Sequence, residues 1–223
     1  MTPGVRSGPR RAGCILLALA AALAGTASAV ATPAAADRTD AGRPSRSFPA
    51  AILEGARLSV ERAPRYDRSY MRLDFPGGDP GWERGACADL VVRAFRHAGI
   101  DLQSSVHRDI RDRPAAYGIR EPDPSIDHRR VRNLVVFFAP RSRSITVGGP
   151  GEPEPGDIVV WDLHGGTTPS HIGLVSDRQG REGRPLVIHH MGRVGPFSGR
   201  PSEDDVLRRW RVLAIYRFTP PGV

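Results

Sequence analysis

The hydrophobic residues follow a helical period in the first half of the chain. The segment "AAILEGARLSVERA" has apolar positions at helical spacing and predicts a helix near the start of the folded domain. A second helix is predicted from about Ala88 to His97, with an apolar stripe on one side and Gly99 as its stop. The segment "SSVHRDIRDRPAAYG" predicts a shorter helix that Pro114 interrupts, whereas "IDHRRVRNLVVFFAPR" fits a helix and a strand equally well.

The pattern changes to that of β-strands in the second half. Four short runs rich in Val, Ile and aromatic residues are separated by Gly, Pro, Asp and Ser: "GDIVVWDL", "HIGLVSD", "PLVIHHMG" and "RVLAIYRF". Such runs predict successive antiparallel strands. Because helices come first and strands follow, we expect an α+β domain in which a helix lies against one face of a small antiparallel sheet. Trp161, Trp210 and Tyr216 are expected to fill its core.

The N-terminus has the three parts of a cleavable export signal. A basic start precedes an apolar run of about a dozen residues from Cys14 to Gly25, and small residues at signal-peptidase spacing end at Ala29. No segment has the roughly 20 apolar residues of a membrane span. We therefore expect a periplasmic or extracellular protein without an integral membrane segment after cleavage. The predicted organisation is a signal peptide over 1–29, a flexible linker over 30–48 and a single domain over 49–223.

The charge of the chain is positive but does not indicate nucleic-acid binding. The formal net charge is +8, and every basic residue is Arg because the chain contains no Lys. The arginines are spread along the sequence, without a long basic block or interleaved aromatic residues that would suggest base stacking. An anionic polymer such as the cell wall remains compatible with this charge. We expect a monomer that binds peptidoglycan or its peptide fragments and no nucleic acid.

Cys87 is the only cysteine left once the signal peptide, which contains Cys14, has been removed. It has no partner for an intramolecular disulfide, and a buried small hydrophobe or a neutral relic would both explain it. Its position at a helix start favours a third interpretation, a reactive thiol. The N–H groups and dipole of a helix N-terminus lower the pKa of a thiol, and the same groups stabilise an oxyanion. A nucleophile of this kind needs an imidazole beside it.

The strand pattern selects the histidines that could supply this imidazole. His171 opens "HIGLVSD", and His189 closes "PLVIH". If these two strands pair as a hairpin, the start of one lies beside the end of the other, so His171 and His189 become near neighbours. This is the geometry of a base and the partner that orients it. His190 points to the opposite face because side chains alternate along a strand.

Five blocks of the sequence resemble a known family. They are "CADLVVRAFRHAGIDLQSSVHRDI", "IDHRRVRNLVVFF", "PGDIVVWDL", "HIGLVSD" and "VIHHMG", within about residues 60–218. In this order they are similar to the DUF1287 family of exported proteins. That family is placed near the NlpC/P60 superfamily, papain-like cysteine peptidases that cut amide bonds in bacterial cell-wall peptides. The resemblance implies a papain-like fold in which the nucleophile helix packs on the sheet.

The resemblance also implies a role for each of three residues. Cys87 would be the nucleophile, His171 the general base and acid, and His189 the third polar residue that holds the tautomer of His171. Many NlpC/P60 enzymes have Asp-Cys-Ser-Gly at the nucleophile, whereas this chain has Ala-Cys-Ala-Asp, so its oxyanion site is expected to differ. The adjacent His190 leaves open which of the two histidines is the third residue.

Four further residues are candidates for supporting roles. Asp89 either orients a neighbouring group or occupies the first helical turn, where negative charge is favoured. Tyr66 either presents its hydroxyl to the site or packs as a buried aromatic residue. Arg129 and Arg130 either bind carboxylates of a wall peptide or belong to a solvated helix start capped by Asp127.

The sequence thus predicts an exported cysteine hydrolase that cleaves an amide bond, with peptidoglycan peptides as its substrate and an acyl-enzyme on Cys87. No cofactor and no metal is needed for this reaction. Two alternatives stay open. The first is a non-catalytic cell-wall-binding protein that retains the fold, and the second is a metal site. The histidines available for such a metal site are His164, His171, His189 and His190.

Overall fold

Five α-helices occupy the first part of the chain that the structure describes. A computed structural model describes residues 47–146 and 151–220, so the predicted signal peptide and most of the linker lie outside the described residues. The helices are α1 (Phe48–Arg62), α2 (Cys87–His97), α3 (Leu102–Asp112), α4 (Pro114–Tyr117) and α5 (Val131–Phe138). None of them is long and apolar enough to cross a membrane.

Capping and Pro residues account for the helix boundaries. The side chain of Asp101 accepts a hydrogen bond from the backbone N–H of Gln103 and so caps α3. Pro114 ends the segment after α3 and occupies the first turn of α4, where its missing N–H costs nothing. The segment that fitted helix and strand equally is the helix α5, because Val131, Leu134 and Phe138 recur at helical spacing and are all buried.

Ten strands lie within the described residues, and six of them form one antiparallel sheet. The strands are β1 (Arg65–Tyr66), β2 (Arg84–Gly85), β3 (Ser142–Ile145), β4 (Ile158–Asp162), β5 (His171–Gln179), β6 (Pro185–His190), β7 (Arg193–Val194), β8 (Phe197–Ser198), β9 (Pro201–Asp204) and β10 (Arg211–Phe218). The order in the sheet is β3-β10-β4-β5-β6-β9. The short strands β1 and β2 pair in parallel, and β7 and β8 form a small hairpin.

The strand predictions are confirmed for β4, β5, β6 and β10, which are the four central strands of the sheet. The two edge strands, β3 and β9, were missed. Their sequences, "SRSI" and "PSED", carry little apolar signal because an edge strand is bonded to only one neighbour and has mostly partly exposed residues. The expected α+β class, with a helix against one face of an antiparallel sheet, is confirmed.

The two faces of the sheet belong to different hydrophobic clusters. The helix-facing side is covered by α1, α2 and α5, and it includes Ile158, Val160, Ile172, Leu174 and Ile188. The opposite side, called here the far face, includes the alternate residues of the same strands together with the loop after β9: Ile145, Val159, Trp161, Val175, Val187, Val206, Leu207 and Ile215. Along β5 and β6, the even-numbered hydrophobic side chains therefore face the helices and the odd-numbered ones belong to the far face.

The predicted core aromatic residues occupy both clusters. Trp161 is fully buried on the far face, and Tyr216 is buried on the helix-facing side. Trp210 is only partly buried and packs edge-on against Trp161, with ring centroids 6.0 Å apart. The helix α1 begins at Phe48, one residue before the expected domain start. The ring of Phe48 contacts those of Phe95 and Phe218, so it belongs to the core.

Candidate active site

Cys87 is the first residue of α2, where the N-terminus of that helix packs on the helix-facing side of the sheet. Its side chain is buried, with 4% of the residue exposed. The residue before it, Ala86, has an extended backbone, so the chain turns into the helix at the cysteine. The backbone N–H groups of Cys87, Ala88 and Ile172 point at the sulfur and favour its anionic form. Ile172 is the residue that follows His171 in β5.

Burial has the largest effect on the pKa of the Cys87 thiol. Desolvation raises the pKa of Cys87 to about 11, and the nearby charge of Asp89 acts in the same direction. The three N–H groups lower this pKa but do not offset the desolvation. The expectation that the helix start makes a thiolate is therefore wrong for this state of the protein. At neutral pH, Cys87 carries its proton.

Asp89 supports the start of the same helix. Its Oδ2 accepts a hydrogen bond of 2.7 Å from the backbone N–H of Ala86, which is half of a capping box. Ala86 has no side-chain oxygen to supply the other half. The carboxylate of Asp89 also forms two hydrogen bonds with Arg129, of 2.8 Å from Nε and 3.0 Å from Nη2. Both interpretations of Asp89 therefore hold, because it lies in the first turn and it orients a neighbouring group.

Arg129 does not face a ligand, which corrects the expectation that it binds a substrate carboxylate. The residue is 7% exposed, and its guanidinium is surrounded by acceptors of the protein itself. Besides Asp89, it donates to the carbonyl oxygens of Ser69, at 2.9 Å, and Asp67. It thus ties the loop after β1 to the start of α2. Arg130 is exposed, and it remains a candidate for substrate binding.

His171 and His189 are hydrogen-bonded to each other on the far face of the sheet. Nε2 of His171 lies 2.9 Å from Nδ1 of His189. The hairpin of β5 and β6 brings them together, as the strand pattern predicted, with Gly173 directly opposite His189. A Cβ atom at Gly173 would lie 3.1 Å from the Cβ of His189 and 3.0 Å from the carbonyl oxygen of Ile188. The glycine of "HIG" therefore makes room for the second imidazole.

Aromatic residues enclose this pair of imidazoles. The indole of Trp161 stacks on His171 with ring centroids 5.5 Å apart, and Trp210 contacts both histidines edge-on. The Nε1–H of Trp161 donates to the carbonyl oxygen of Leu207 at 3.2 Å, which holds the indole in place. Burial lowers the pKa of His171 well below its usual value, and the nearby charges of His189 and His190 act in the same direction. His171 is thus a neutral imidazole at neutral pH.

The thiol of Cys87 lies beside the backbone of the residue that follows His171. The thiol and the imidazole of His171 are nevertheless not hydrogen-bonded to each other. Cys87 belongs to the helix-facing cluster, and the ring of His171 packs with the aromatic residues of the far face. Within the described part of the chain, no hydrogen bond joins the sulfur of Cys87 to His171, whose hydrogen bond to His189 uses Nε2. The N–H of Ile172 is the link between them. His171 and His189 are 1% and 0% exposed.

His190 and Tyr66 lie together on the helix-facing side, and Tyr66 is near the thiol. Their rings meet edge-on with centroids 5.2 Å apart, and Nε2 of His190 is 3.3 Å from the carbonyl oxygen of Gly199. Desolvation raises the pKa of Tyr66 to about 12, with a further contribution from Cys87, so the tyrosine is close to that thiol. Burial lowers the pKa of His190 to about 4. The geometry therefore pairs His189, and not His190, with His171.

The four histidines of the alternative metal site do not converge. His164 is exposed in the turn after β4, and His190 lies on the other side of the sheet from His171 and His189. Over residues 47–146 and 151–220, no group of three or more His, Cys, Asp or Glu side chains is arranged to hold a metal ion.

Two features of the site were missed from the sequence. The carboxylate of Asp204 lies 3.2 Å from Nε2 of His189, and Trp161 forms a wall of the site as well as part of the core. Asp204 belongs to the run "SEDD", in which adjacent acidic residues offer no local sign of which one faces a histidine. The pairing of β9 with β6 identifies Asp204 as the acidic residue that faces the histidine. It puts Ser202 opposite His189, and Asp204 lies two residues further on the same face.

Comparison with known proteins connects this chain to one family. A family described as "Domain of unknown function (DUF1287)" matches residues 53–218. The chain is 41% identical over 173 residues to "Uncharacterized protein YijF" of Escherichia coli (strain K12), covering 75% of this chain and 80% of that protein. It also resembles a solved structure, "Structure of NlpC2 from Trichomonas vaginalis", with a TM-score of 0.45 and 15% identity. That match covers 80% of this chain and 48% of the other, so the chain spans about half its length.

Proposed function

The chain belongs to the DUF1287 family, and we propose that it is an exported cysteine hydrolase that cleaves an amide bond in cell-wall peptidoglycan peptides. One contact carries this proposal: the backbone N–H of Ile172 points at the sulfur of Cys87. The thiol at the start of α2 therefore lies against the residue that follows His171 in β5. His171 is in turn hydrogen-bonded to a second histidine. Nucleophile, base and orienting partner are the three parts of an acyl-transfer site.

In the first half of the proposed reaction, the sulfur of Cys87 attacks the carbonyl carbon of the amide while the thiol proton moves to Nδ1 of His171. The backbone N–H groups of Cys87 and Ala88 stabilise the oxyanion that forms. The C–N bond then breaks, and the leaving amine takes the proton from His171. The products are a free amine and a thioester on Cys87, and His171 is neutral again.

In the second half, water attacks the carbonyl carbon of the thioester. His171 accepts a proton from this water, the C–S bond breaks, and the proton returns to the sulfur of Cys87. The released acid completes a hydrolysis in which one water is consumed for each amide cleaved. If an amine replaced this water, the same site would carry out a transfer.

The proposed site starts from a neutral pair and not from a thiolate and an imidazolium. The pKa of Cys87 is raised to about 11, and the pKa of His171 is lowered, so both groups are uncharged at neutral pH. Proton transfer must then accompany the attack on the carbonyl. Contacts between catalytic groups are often loose without substrate, and this reaction requires Nδ1 of His171 to approach the sulfur of Cys87 while Nε2 keeps its hydrogen bond to His189.

The proposed substrate follows from export and from charge. We propose that the mature chain begins after Ala29 and acts outside the cytoplasm, where its net positive charge favours an anionic wall. Arg130 is the arginine of the predicted pair that remains exposed for a substrate carboxylate. The measured mass of the protein isolated from the periplasm or medium tests the position of cleavage.

The test of the proposed activity is digestion of isolated peptidoglycan with the mature protein, followed by mass spectrometry of the soluble muropeptides. We expect new fragments that have gained one water at an amide, and no such fragments with Cys87→Ser. A chelator should leave the activity unchanged. Wild-type amounts of product from Cys87→Ser would contradict the proposal.

A second candidate function is favoured by the burial of the site. Cys87 and both far-face histidines are almost inaccessible, which is also expected of a non-catalytic wall-binding protein that retains the fold. Cosedimentation with purified cell wall separates the two functions. For an enzyme, Cys87→Ser keeps the binding and loses the cleavage. For a binding protein, wild type and variant both bind, and neither yields new fragments.

Tyr66→Phe tests whether the tyrosine hydroxyl acts on the proposed intermediate. The substitution retains the ring that packs on His190 and Gly192 and removes only the oxygen. If the hydroxyl donates to the oxyanion, we expect kcat to fall by roughly 10²-fold, as for the loss of one oxyanion donor. An unchanged kcat with an unchanged unfolding midpoint would leave Tyr66 with a packing role.

A further inference from the structure

Asp204 extends the imidazole pair by one more group. Its Oδ2 lies 3.2 Å from Nε2 of His189, whose Nδ1 in turn faces Nε2 of His171 at 2.9 Å. Three side chains on three adjacent strands thus form a continuous hydrogen-bonded series on the far face. The order β5-β6-β9 in the sheet creates this series, since each strand contributes one member.

The carboxylate of Asp204 is ionised at neutral pH. Its pKa lies below the ordinary value, chiefly because of its hydrogen bond with His189, although partial burial opposes this. The hydroxyl of Ser202 donates a second hydrogen bond of 2.5 Å, and the positive charge of Arg209 also favours the anion. An ionised carboxylate only accepts hydrogen bonds. Nε2 of His189 must therefore carry a hydrogen.

The position of this hydrogen decides the state of the next ring. In the neutral form of His189, which has one N–H group and one lone pair, Nδ1 is an acceptor once Nε2 is protonated. Nε2 of His171 must then carry the hydrogen that fills the 2.9 Å contact. The lone pair of His171 is left on Nδ1, which is the nitrogen that the proposed reaction uses as a base.

We infer that Asp204 is a positioning residue that sets the tautomers of His189 and His171 and so leaves Nδ1 of His171 free to accept a proton. The effect on catalysis rests on the proposed function, whereas the tautomers themselves do not. Without the carboxylate, the two rings can also adopt the reverse arrangement, in which Nδ1 of His189 donates and Nδ1 of His171 carries the hydrogen. That arrangement has no base for the thiol.

The neighbourhood provides a matched control for this inference. Asp205 follows Asp204 directly, but its carboxylate pairs with the guanidinium of Arg184 at 3.1 Å. Asp205→Asn therefore removes a negative charge at the next position without touching His189. Asp204→Ala removes the acceptor itself, and Asp204→Asn retains its shape while adding an amide that can donate.

The experiment is long-range ¹H–¹⁵N spectroscopy of the mature protein labelled with ¹⁵N-histidine, at neutral pH. Signals are assigned with His171→Gln and His189→Gln. In wild type and in Asp205→Asn, we expect both rings to be protonated at Nε2 and unprotonated at Nδ1. In Asp204→Ala, we expect His171 to populate the Nδ1-protonated form. A wild-type His171 with its hydrogen on Nδ1, or an Asp204→Ala protein with unchanged tautomers, would overturn the inference.

A second readout separates this inference from the proposed function. With wall peptides as substrate, Asp204→Ala should lower kcat by roughly 10- to 100-fold and leave KM unchanged, as expected when a partner of a functional histidine is lost. If wild type has the expected tautomers and no activity, the proposed function fails and the tautomer assignment stands. If Asp204→Ala changes the tautomers but not kcat, the positioning role is refuted while the hydrolase survives.

Discussion

Asp89 and Arg129 form a buried ion pair with two parallel hydrogen bonds at the start of the helix that carries Cys87. Both side chains are only 2% exposed, although the residues are 40 positions apart in the sequence. The carboxylate also holds the N–H of Ala86, and the guanidinium holds the carbonyl oxygen of Ser69. This pair therefore joins α2, the segment before α5 and the loop after β1 at the candidate nucleophile.

Loss of Arg129 should be strongly destabilising. Arg129→Met leaves the carboxylate of Asp89 buried without its counter-charge, and breaking a buried pair in this way costs about 3–5 kcal/mol. Arg130→Met is the matched control, because the neighbouring side chain is exposed, and its cost should stay within about 0.5 kcal/mol. Urea unfolding followed by circular dichroism measures both. Equal midpoints for the two variants would contradict a structural role for the ion pair.

The Cys87 thiol should make the protein less stable in alkaline solution. Its pKa is about 11 in the folded state and lies near 9 when the thiol is solvated. Because the folded value is the higher one, its contribution is fully present below pH 9 and is lost as the pH rises towards 11, by at most about 1.4 kcal/mol per pH unit. Unfolding free energies of wild type and Cys87→Ala between pH 8 and 11 check this. Parallel curves for the two proteins would show that the thiol has the same pKa in the folded and unfolded states.

Buried histidines should make the protein sensitive to acid. Burial lowers the pKa of His128 to about 4, below the usual value of 6.5, and Nδ1 of His128 has no partner within the described residues. A lowered folded pKa gives stability that is present above pH 6.5 and is lost as the pH falls through 4. We expect His128→Gln to flatten the fall of the unfolding free energy between pH 6.5 and 4. The exposed His164, changed to Gln, is the control that should keep the wild-type slope.

Gly173 should not tolerate a side chain. A methyl group there would press on the Cβ of His189 and on Val187 Cγ1, which the added atom would approach to 2.9 Å. Gly173→Ala should cost about 1–3 kcal/mol through overpacking, and it should separate His189 from His171. Thermal unfolding measures the first effect, and the ¹⁵N-histidine spectra measure the second. If the spectra remain those of wild type, the hairpin can absorb the methyl group without moving the second imidazole.

The sequence by itself determined the elements that position the candidate site. The periodicity of α2 and of the central strands is a local property that reports which side of each element is buried. The start of α2 at Cys87 and the approach of His171 to His189 follow from that pattern together with one hairpin. The choice of His189 over His190 needed the paired strands, because only they show which of the adjacent rings faces His171.

The tertiary structure alone decided the charges and partners at the site. Arg129 is an internal ion-pair residue, and the pKa of Cys87 is raised, because elements far apart in sequence bury both groups. Asp204 reaches His189 through an edge strand whose polar sequence carried no strand signal. Hydrophobic periodicity records burial along one element. Desolvation and hydrogen bonding between elements depend on which residues the fold brings together, and that information is absent from the local pattern.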